Sequence, residues 1–218
     1  MSATFVIRYI TDADMSYKLT EITVATNNQG KLAELKSLLG VSTLTLRTLA
    51  DFPHVTEVDE TGATFQENAR LKAAGYALQT GTAAMADDSG LVIDALDGRP
   101  GVLSARYGGE GTGFPEKMES ILTEMAEIGG TNRRARFVCA IAIAAENGEI
   151  IFETEGVCEG HIADAPRGSG GFGYDPIFVL TGFEETFGEL SAAIKGQISH
   201  RARAFCQIIP FLRDNTVN

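Results

Sequence analysis

The sequence predicts a mixed α/β fold: an elongated central sheet flanked by helices, in two lobes with a cleft between them. Three observations carry that prediction. Strand-like and helix-like stretches alternate from Ile22 onward. The middle of the chain then holds two long β-rich runs, Arg136 to Ala145 and Glu149 to Ile162, around Asn147-Gly148, the strongest two-residue hairpin signal. An antiparallel hairpin there rules out a purely parallel, doubly wound sheet. Finally, no internal repeat and no low-complexity linker divides the 218 residues, so one two-lobed domain is expected over 21–218, behind an N-terminal extension at 1–20.

Ile22 to Thr26 reads as a strand from its β-branched run. Lys31 to Leu39 reads as a helix with Leu32, Leu35, Leu38 and Leu39 on one face, closed by Gly40. Thr43 to Leu49 alternates like a half-exposed strand. Thr64 to Gln79 is a second helix: Thr64 and Glu67 have the spacing of a capping box, and Phe65, Ala69, Ala73 and Ala77 keep near-helical spacing. Thr82 to Ala86 and Leu91 to Ala95 read as two strands, followed by the turn-rich Asp97-Gly98-Arg99-Pro100-Gly101. Phe114 to Ile128 is helical, with Pro115 tolerated in its first turn. A last helix is expected from Ser199 to Arg213, with Phe205, Ile208, Ile209 and Leu212 along one side and Pro210 kinking or shortening it.

Hydrophobic residues make up 44% and charged residues 22%, the balance of a globular chain with a real core and not of a disordered one. The 29 acids against 18 bases give a net charge of −11, which repels nucleic acid and anionic membranes. An anionic ligand would need local cations, and Lys31, Lys195 and Arg201 are candidates. The longest apolar run, Phe137 to Ala145, is far short of the roughly 20 residues that span a bilayer. Residues 1–20 have one apolar nucleus, Phe5-Val6-Ile7, beside Asp12 and Asp14, and do not make a secretory signal. They read as a disordered extension or as an upstream start before Met15. Cys139, Cys158 and Cys206 show no metal or redox spacing and read as buried small hydrophobes in a reducing compartment.

The most informative segment is Ala86-Asp87-Asp88-Ser89-Gly90. It places two carboxylates and a hydroxyl at what reads as the end of a buried strand, although a solvated acidic turn would use the same letters. Thr26-Asn27-Asn28-Gln29-Gly30-Lys31 leaves a strand and enters a helix, where backbone N–H groups and Lys31 could receive a phosphate. It is not a P-loop, because Ala25 and Leu32 stand where the first glycine and the magnesium-binding hydroxyl should be. Gly168 to Gly173 matches the letters of G-x-G-x-x-G, but Pro166 and Pro176 deny it the following helix. Those glycines instead let backbone approach a ligand and present Phe172 or Tyr174 to a flat ring. His200 has no partner histidine at metal-binding spacing, and Arg201 beside a helix N-terminus calls for an anionic or carbonyl partner. Glu60 is either a turn acid or a second metal-ligand carboxylate.

Five of these segments, in order, resemble the inosine triphosphate pyrophosphatase family: ATNNQGKLAELKSLL, DETGATFQENARLKA, ADDSGLVIDALDGRPGVLSARYGG, GGFGYDPIF and KGQISHRARA. The likeness runs from about Ile22 to Leu212. It implies the mixed two-lobed fold with its substrate cleft, and hydrolysis of inosine, deoxyinosine and xanthosine triphosphates to monophosphate and pyrophosphate. It further implies Asp88 as catalytic base and Mg2+ ligand, with Glu60 as the second metal carboxylate. Thr26, Asn28 and Lys31 would hold the phosphates, Asn27, Gln29, Gly30 and Ser89 would also bind substrate, and Phe172, Gly173, Tyr174, Asp175, Lys195, His200 and Arg201 would enclose the base and sugar. A cytoplasmic homodimer is implied as well, with no nucleic-acid or membrane partner. Two departures stand out: the N-terminal extension, and a glycine-rich Glu110 to Pro115 where a polar, acidic loop is usual. A related Maf-type pyrophosphatase and a non-hydrolysing nucleotide sensor are the competing readings.

Overall fold

In the structure, a computed structural model, residues 17–26, 35, 43–109 and 111–217 are described. Among the described residues six strands are present, β1 (Glu21–Val24), β2 (Thr45–Thr48), β3 (Ala84–Ile93), β4 (Arg134–Ala144), β5 (Ile150–Ile162) and β6 (Phe178–Leu180). The helices with described bounds are α1 (Phe65–Thr80), α2 (Phe114–Ile128), α3 (Ala192–Ile198) and α4 (His200–Asn215). The strands form one sheet in the order β2-β1-β3-β4-β5-β6. β1 runs parallel to β2 and β3, with Thr23 opposite Ala84, while β5 runs antiparallel to β6, with His161 opposite Val179. The sheet is therefore mixed, as the hairpin required, and the turn at Asn147-Gly148 is closed by Ala145 N–H donating to the Glu149 carbonyl at 2.8 Å.

Several expectations change. Thr82 to Ala86 and Leu91 to Ala95 are not two strands: β3 runs unbroken from Ala84 to Ile93, so Asp88 lies in mid-strand and not at a strand end. The polar letters Asp-Asp-Ser-Gly read as a turn, but β3 lies within the sheet, with β4 as its neighbour and β1 paired to its first residues, Ala84 and Met85, and that tertiary setting overrides local composition. α4 passes through Pro210 to Asn215. The carbonyl that Pro210 leaves without an N–H donor is that of Cys206, and both residues are exposed. Cys206 is thus not the buried hydrophobe expected, unlike Cys139 and Cys158. The short α3 and β6 carry too few residues to show a periodicity. The Lys31 to Leu39 helix and its Gly40 cap lie outside the described residues apart from Leu35, which is helical and fully buried.

The chain divides into two compact units. One takes the residues up to Asp88, Cys139–Gly156 and those from Arg203; the other takes Ser89–Val138 and Val157–Ala202. The first has its core in Ile22, Val24, Ile141, Ile143, Ile208 and Leu212, with Phe152 stacked on Phe211 at 4.6 Å. Leu19 is drawn into it, its N–H donating to the Asn215 carbonyl at 2.7 Å. The second is built on Leu91, Ile121, Phe137, Phe178 and Phe187.

Within the first unit α1 is fixed at its start and along two faces. Thr64 Oγ1 accepts from Glu67 N–H at 3.1 Å while the Glu67 carboxylate accepts from Thr64 N–H at 3.2 Å, the expected capping box. Gly81 ends the helix with φ +66°. Phe65, Ala69, Ala73 and Ala77 are buried as the spacing implied. Arg70 makes a two-pronged pair with the buried Glu153 of β5, at 2.6 and 2.7 Å, and Gln66 adds a bond to the same carboxylate. Replacing Thr64 with alanine is expected to lower the unfolding free energy by about 1 kcal/mol, as N-cap loss does. In urea titrations this would show as a lower midpoint with an unchanged slope.

Candidate active site

The acidic part of the site lies in the first unit and is organised by one ammonium. Strand alternation points Asp88 at α1, where Asn68 Nδ2 donates to its Oδ2 at 3.1 Å and Lys72 Nζ to its Oδ1 at 3.3 Å. The same Nζ donates to Glu60 Oε1 at 2.7 Å. Lys72 therefore joins the two carboxylates that the sequence singled out. Asn68 and Lys72 stand four apart, so one helix face delivers both donors.

All three charged side chains are largely buried, 11% exposed for Asp88, 14% for Lys72 and 27% for Glu60. Burial is the main cause that lifts the Asp88 carboxyl above its ordinary value; Lys72 and Asn68 oppose this, and the nearby charge of Glu60 adds to it. For Lys72, burial favours loss of the proton, but Asp88, Glu60 and Asp87 together outweigh it and hold the ammonium above its usual range. Lys72 is thus charged wherever Asp88 titrates. Among the described residues no group of three or more His, Cys, Asp or Glu is placed to hold a metal. What is present is a pair of hard oxygen donors around a cation.

The second unit contains a cavity of about 230 Å³. It is smaller than the roughly 300 Å³ at which drug-sized ligand sites begin. Its wall comes from seven separate stretches of the chain. From the glycine-rich loop, Phe172 is 77% exposed, whereas Tyr174 is buried and donates to the Ser104 carbonyl at 2.9 Å. Burial, and secondarily Tyr107, push the Tyr174 phenol up, so it remains a neutral donor. Asp175 accepts from Phe172 N–H at 2.5 Å and from Lys195 Nζ, tying the loop to α3. Gly171 is required here: its φ is +79°, and a Cβ would stand 2.0 Å from Asp175 Oδ2.

His200 and Arg201 come from the first turn of α4, where Ser199 Oγ caps the helix by accepting from Ala202 N–H at 3.2 Å. The His200 ring is buried and stacked on Phe137, 4.8 Å between centroids and 12° between planes. Arg201 Nη2 approaches Ser89 Oγ at 3.5 Å. That partner is a hydroxyl, whereas the sequence called for an anionic or carbonyl one.

Of the residues named from sequence, the cavity gathers Ser89, Phe172, Gly173, Tyr174, Asp175, Lys195, His200 and Arg201. Asp88 and Glu60 meet through Lys72. Lys195 is engaged with Asp175 and lies in the cavity wall with Arg201. Thr26 follows β1 and is half-buried, and its N–H donates to the Val24 carbonyl at 2.8 Å. Asn27, Asn28, Gln29, Gly30 and Lys31 lie outside the described residues. Sequence reasoning missed Asn68 and Lys72, whose signal was a polar pair at i, i+4 beside the alanine stripe. It also missed Ser104, Phe114 and Phe137, which carry no local chemical signature.

Fold and site together define a mixed α/β protein with a ring-sized aromatic cavity and a separate carboxylate–ammonium cluster. The Ham1 family model matches residues 22–211, and the chain belongs to that family. It is 45% identical over 195 residues to a dITP/XTP pyrophosphatase of Halalkalibacterium halodurans, covering 89% of this chain and 100% of that protein. It is 46% identical over 195 residues to the enzyme of the same name from Oceanobacillus iheyensis, covering 89% and 98%. Among solved structures, a HAM1 protein from Coxiella burnetii superposes with a TM-score of 0.86 at 41% identity, over 90% of this chain and 100% of that one. A nucleoside-triphosphatase / dITP/XTP pyrophosphatase from Mycobacterium abscessus gives 0.75 at 43% identity, over 87% and 99%.

Because folded Asp88 keeps its proton to a higher pH than the unfolded chain does, stability is lost as pH rises from the ordinary aspartate value through the raised one. Asp88→Asn cannot ionise and escapes that loss. In metal-free buffer with EDTA, the variant's unfolding free energy is expected to gain on wild type between acid and neutral pH. Urea titrations at each pH check this, and a difference independent of pH would contradict it.

Proposed function

We propose that this chain hydrolyses non-standard purine nucleoside triphosphates (inosine, deoxyinosine and xanthosine triphosphate) to the monophosphate and pyrophosphate, removing them from the nucleotide pool. The observation that carries the reading is Asp88: a buried carboxylate with a raised pKa, oriented by Asn68 and Lys72, followed in the chain by Ser89 of the aromatic cavity. A general base works best when its pKa lies near the working pH, and burial moves Asp88 in that direction. The printed names of the relatives support the same substrate class.

In this mechanism the cavity receives the base. Thr26, Asn27, Asn28, Gln29, Gly30, Lys31 and Ser89 receive the phosphates through backbone N–H groups, amides, hydroxyls and one ammonium. Asp88 takes the proton of the water that attacks between the α- and β-phosphates. Asp88 and Glu60 are hard oxygen donors already arranged around one cation, which fits Mg2+, an ion held through one or two carboxylates plus substrate phosphates. When bound, the metal neutralises charge on the phosphate oxygens. Lys72 keeps the two carboxylates together. We further propose a homodimer in the cytoplasm, a reducing compartment that suits the three free thiols Cys139, Cys158 and Cys206.

Selectivity follows from donors and acceptors. Hypoxanthine and xanthine present an oxygen at position 6 where adenine presents an amino group. Arg201 can only donate, so adenine leaves its hydrogen bonds unmade.

Pyrophosphate release from inosine triphosphate with magnesium, assayed beside the four common nucleotides, tests the activity. Asp88→Asn is expected to fold and to lose turnover by at least ~10², the scale of a lost general base. Near wild-type turnover would remove Asp88 from its role. Arg201→Ala should lower the ratio of inosine to adenosine triphosphate cleavage, and an unchanged ratio would overturn this account of selectivity.

A further inference from the structure

One ring in the cavity wall has no role in the chemistry above. Phe114 opens α2 and meets Phe172 at 5.0 Å with 68° between planes and Tyr174 at 5.3 Å with 89°, both edge-on. The loop carrying Phe172 lies directly against it: a Cβ on Gly173 would be 3.5 Å from the Phe114 ring. Lys117 stands behind Phe114, one turn further along α2. Its side chain is buried, its ammonium sits 4.8 Å from the Phe114 centroid, and it donates to the Ala105 carbonyl at 2.5 Å. Ala105 and Phe114 both line the cavity.

Lysine is seldom buried to this degree, and an ammonium removed from water must be compensated by a carbonyl, a carboxylate or a π face. Here the compensating groups include two walls of one cavity. The edge-on contacts of Phe114 with Phe172 and Tyr174 are directional, because the positive rim of one ring meets the negative face of the next. Phe172, largely exposed, gains a fixed orientation from that contact.

We propose that Phe114 and Lys117 form a brace that sets the width of the cavity and holds Phe172 as a stacking platform, making Phe114 a positioning residue for the purine ring. The proposal rests on reading the cavity as the base site. Neither residue belongs to the carboxylate cluster, so the brace governs affinity for the base and not cleavage of the phosphoanhydride.

The test compares Phe114→Leu, Phe114→Tyr and Lys117→Met by calorimetric titration with inosine monophosphate and by steady-state cleavage of inosine triphosphate. Leucine fills much of the volume but has no ring. Phe114→Leu should weaken Kd for the monophosphate and raise KM about tenfold, equivalent to about 1.4 kcal/mol, with kcat reduced by less than about twofold. Phe114→Tyr should recover both to within about threefold of wild type, since the ring contact is kept. Lys117→Met should move Kd in the same direction by a smaller factor.

An unchanged Kd in folded Phe114→Leu, an equal loss in the tyrosine variant, or a loss confined to kcat would overturn the brace. If the leucine variant does not fold, an unchanged Kd in Lys117→Met overturns it. Wild-type protein that binds the monophosphate but releases no pyrophosphate would defeat the proposed hydrolysis, while Kd still decides the brace. Wild-type protein that does not bind the monophosphate would defeat the brace itself.

Discussion

The arrangement of the acidic residues depends on the ammonium of Lys72. Two carboxylates with limited access to water repel each other, and each loses hydration on burial. Without a cation between them at least one would take up a proton or turn outward. Lys72 meets Glu60 at 2.7 Å and Asp88 at 3.3 Å, and the combined charge of its neighbours keeps it protonated despite its own burial. Such a cluster is a poor source of stability, because desolvation offsets most of the attraction. Its value is geometric: it holds Asp88 and Glu60 within reach of a single cation. The same electrostatic balance leaves the Asp88 carboxyl above its ordinary value, the direction a base requires.

Precision at Lys72 in turn requires a helix that does not shift. α1 is held by its capping box at one end, by the alanine stripe against the core, and by the two-pronged Arg70–Glu153 pair on another face. Gln66 with Arg70, and Asn68 with Lys72, are two sets of residues four apart on the same helix. One set anchors it to β5 and the other addresses Asp88. Structural and chemical demands are thus met by different faces of a single element.

The cavity of the second unit follows a similar logic with rings in place of charges. Tyr174 is a pillar whose phenol is tied to the Ser104 carbonyl, His200 is stacked on Phe137, and Asp175 joins the Phe172 loop to Lys195. The polar atoms used for this bracing hold the wall in place.

Local patterns in the sequence determined the mixed sheet, the hairpin at Asn147-Gly148, the capped α1, the first turn of α2 and the start of α4. Each is set by interactions within a few residues: side chain to nearby backbone, turn geometry, or a repeating apolar face. Residue chemistry also marked Asp88, Glu60, Ser89, Phe172 to Asp175, Lys195, His200 and Arg201 as candidates. Tertiary structure alone decided that β3 is unbroken, because its place inside the sheet overrides the turn-like letters around Asp88. It alone placed Lys72 and Asn68 on the acids and Phe114, Lys117 and Phe137 around the cavity. Those are contacts between side chains distant in sequence, and nothing in the local pattern of either partner specifies them.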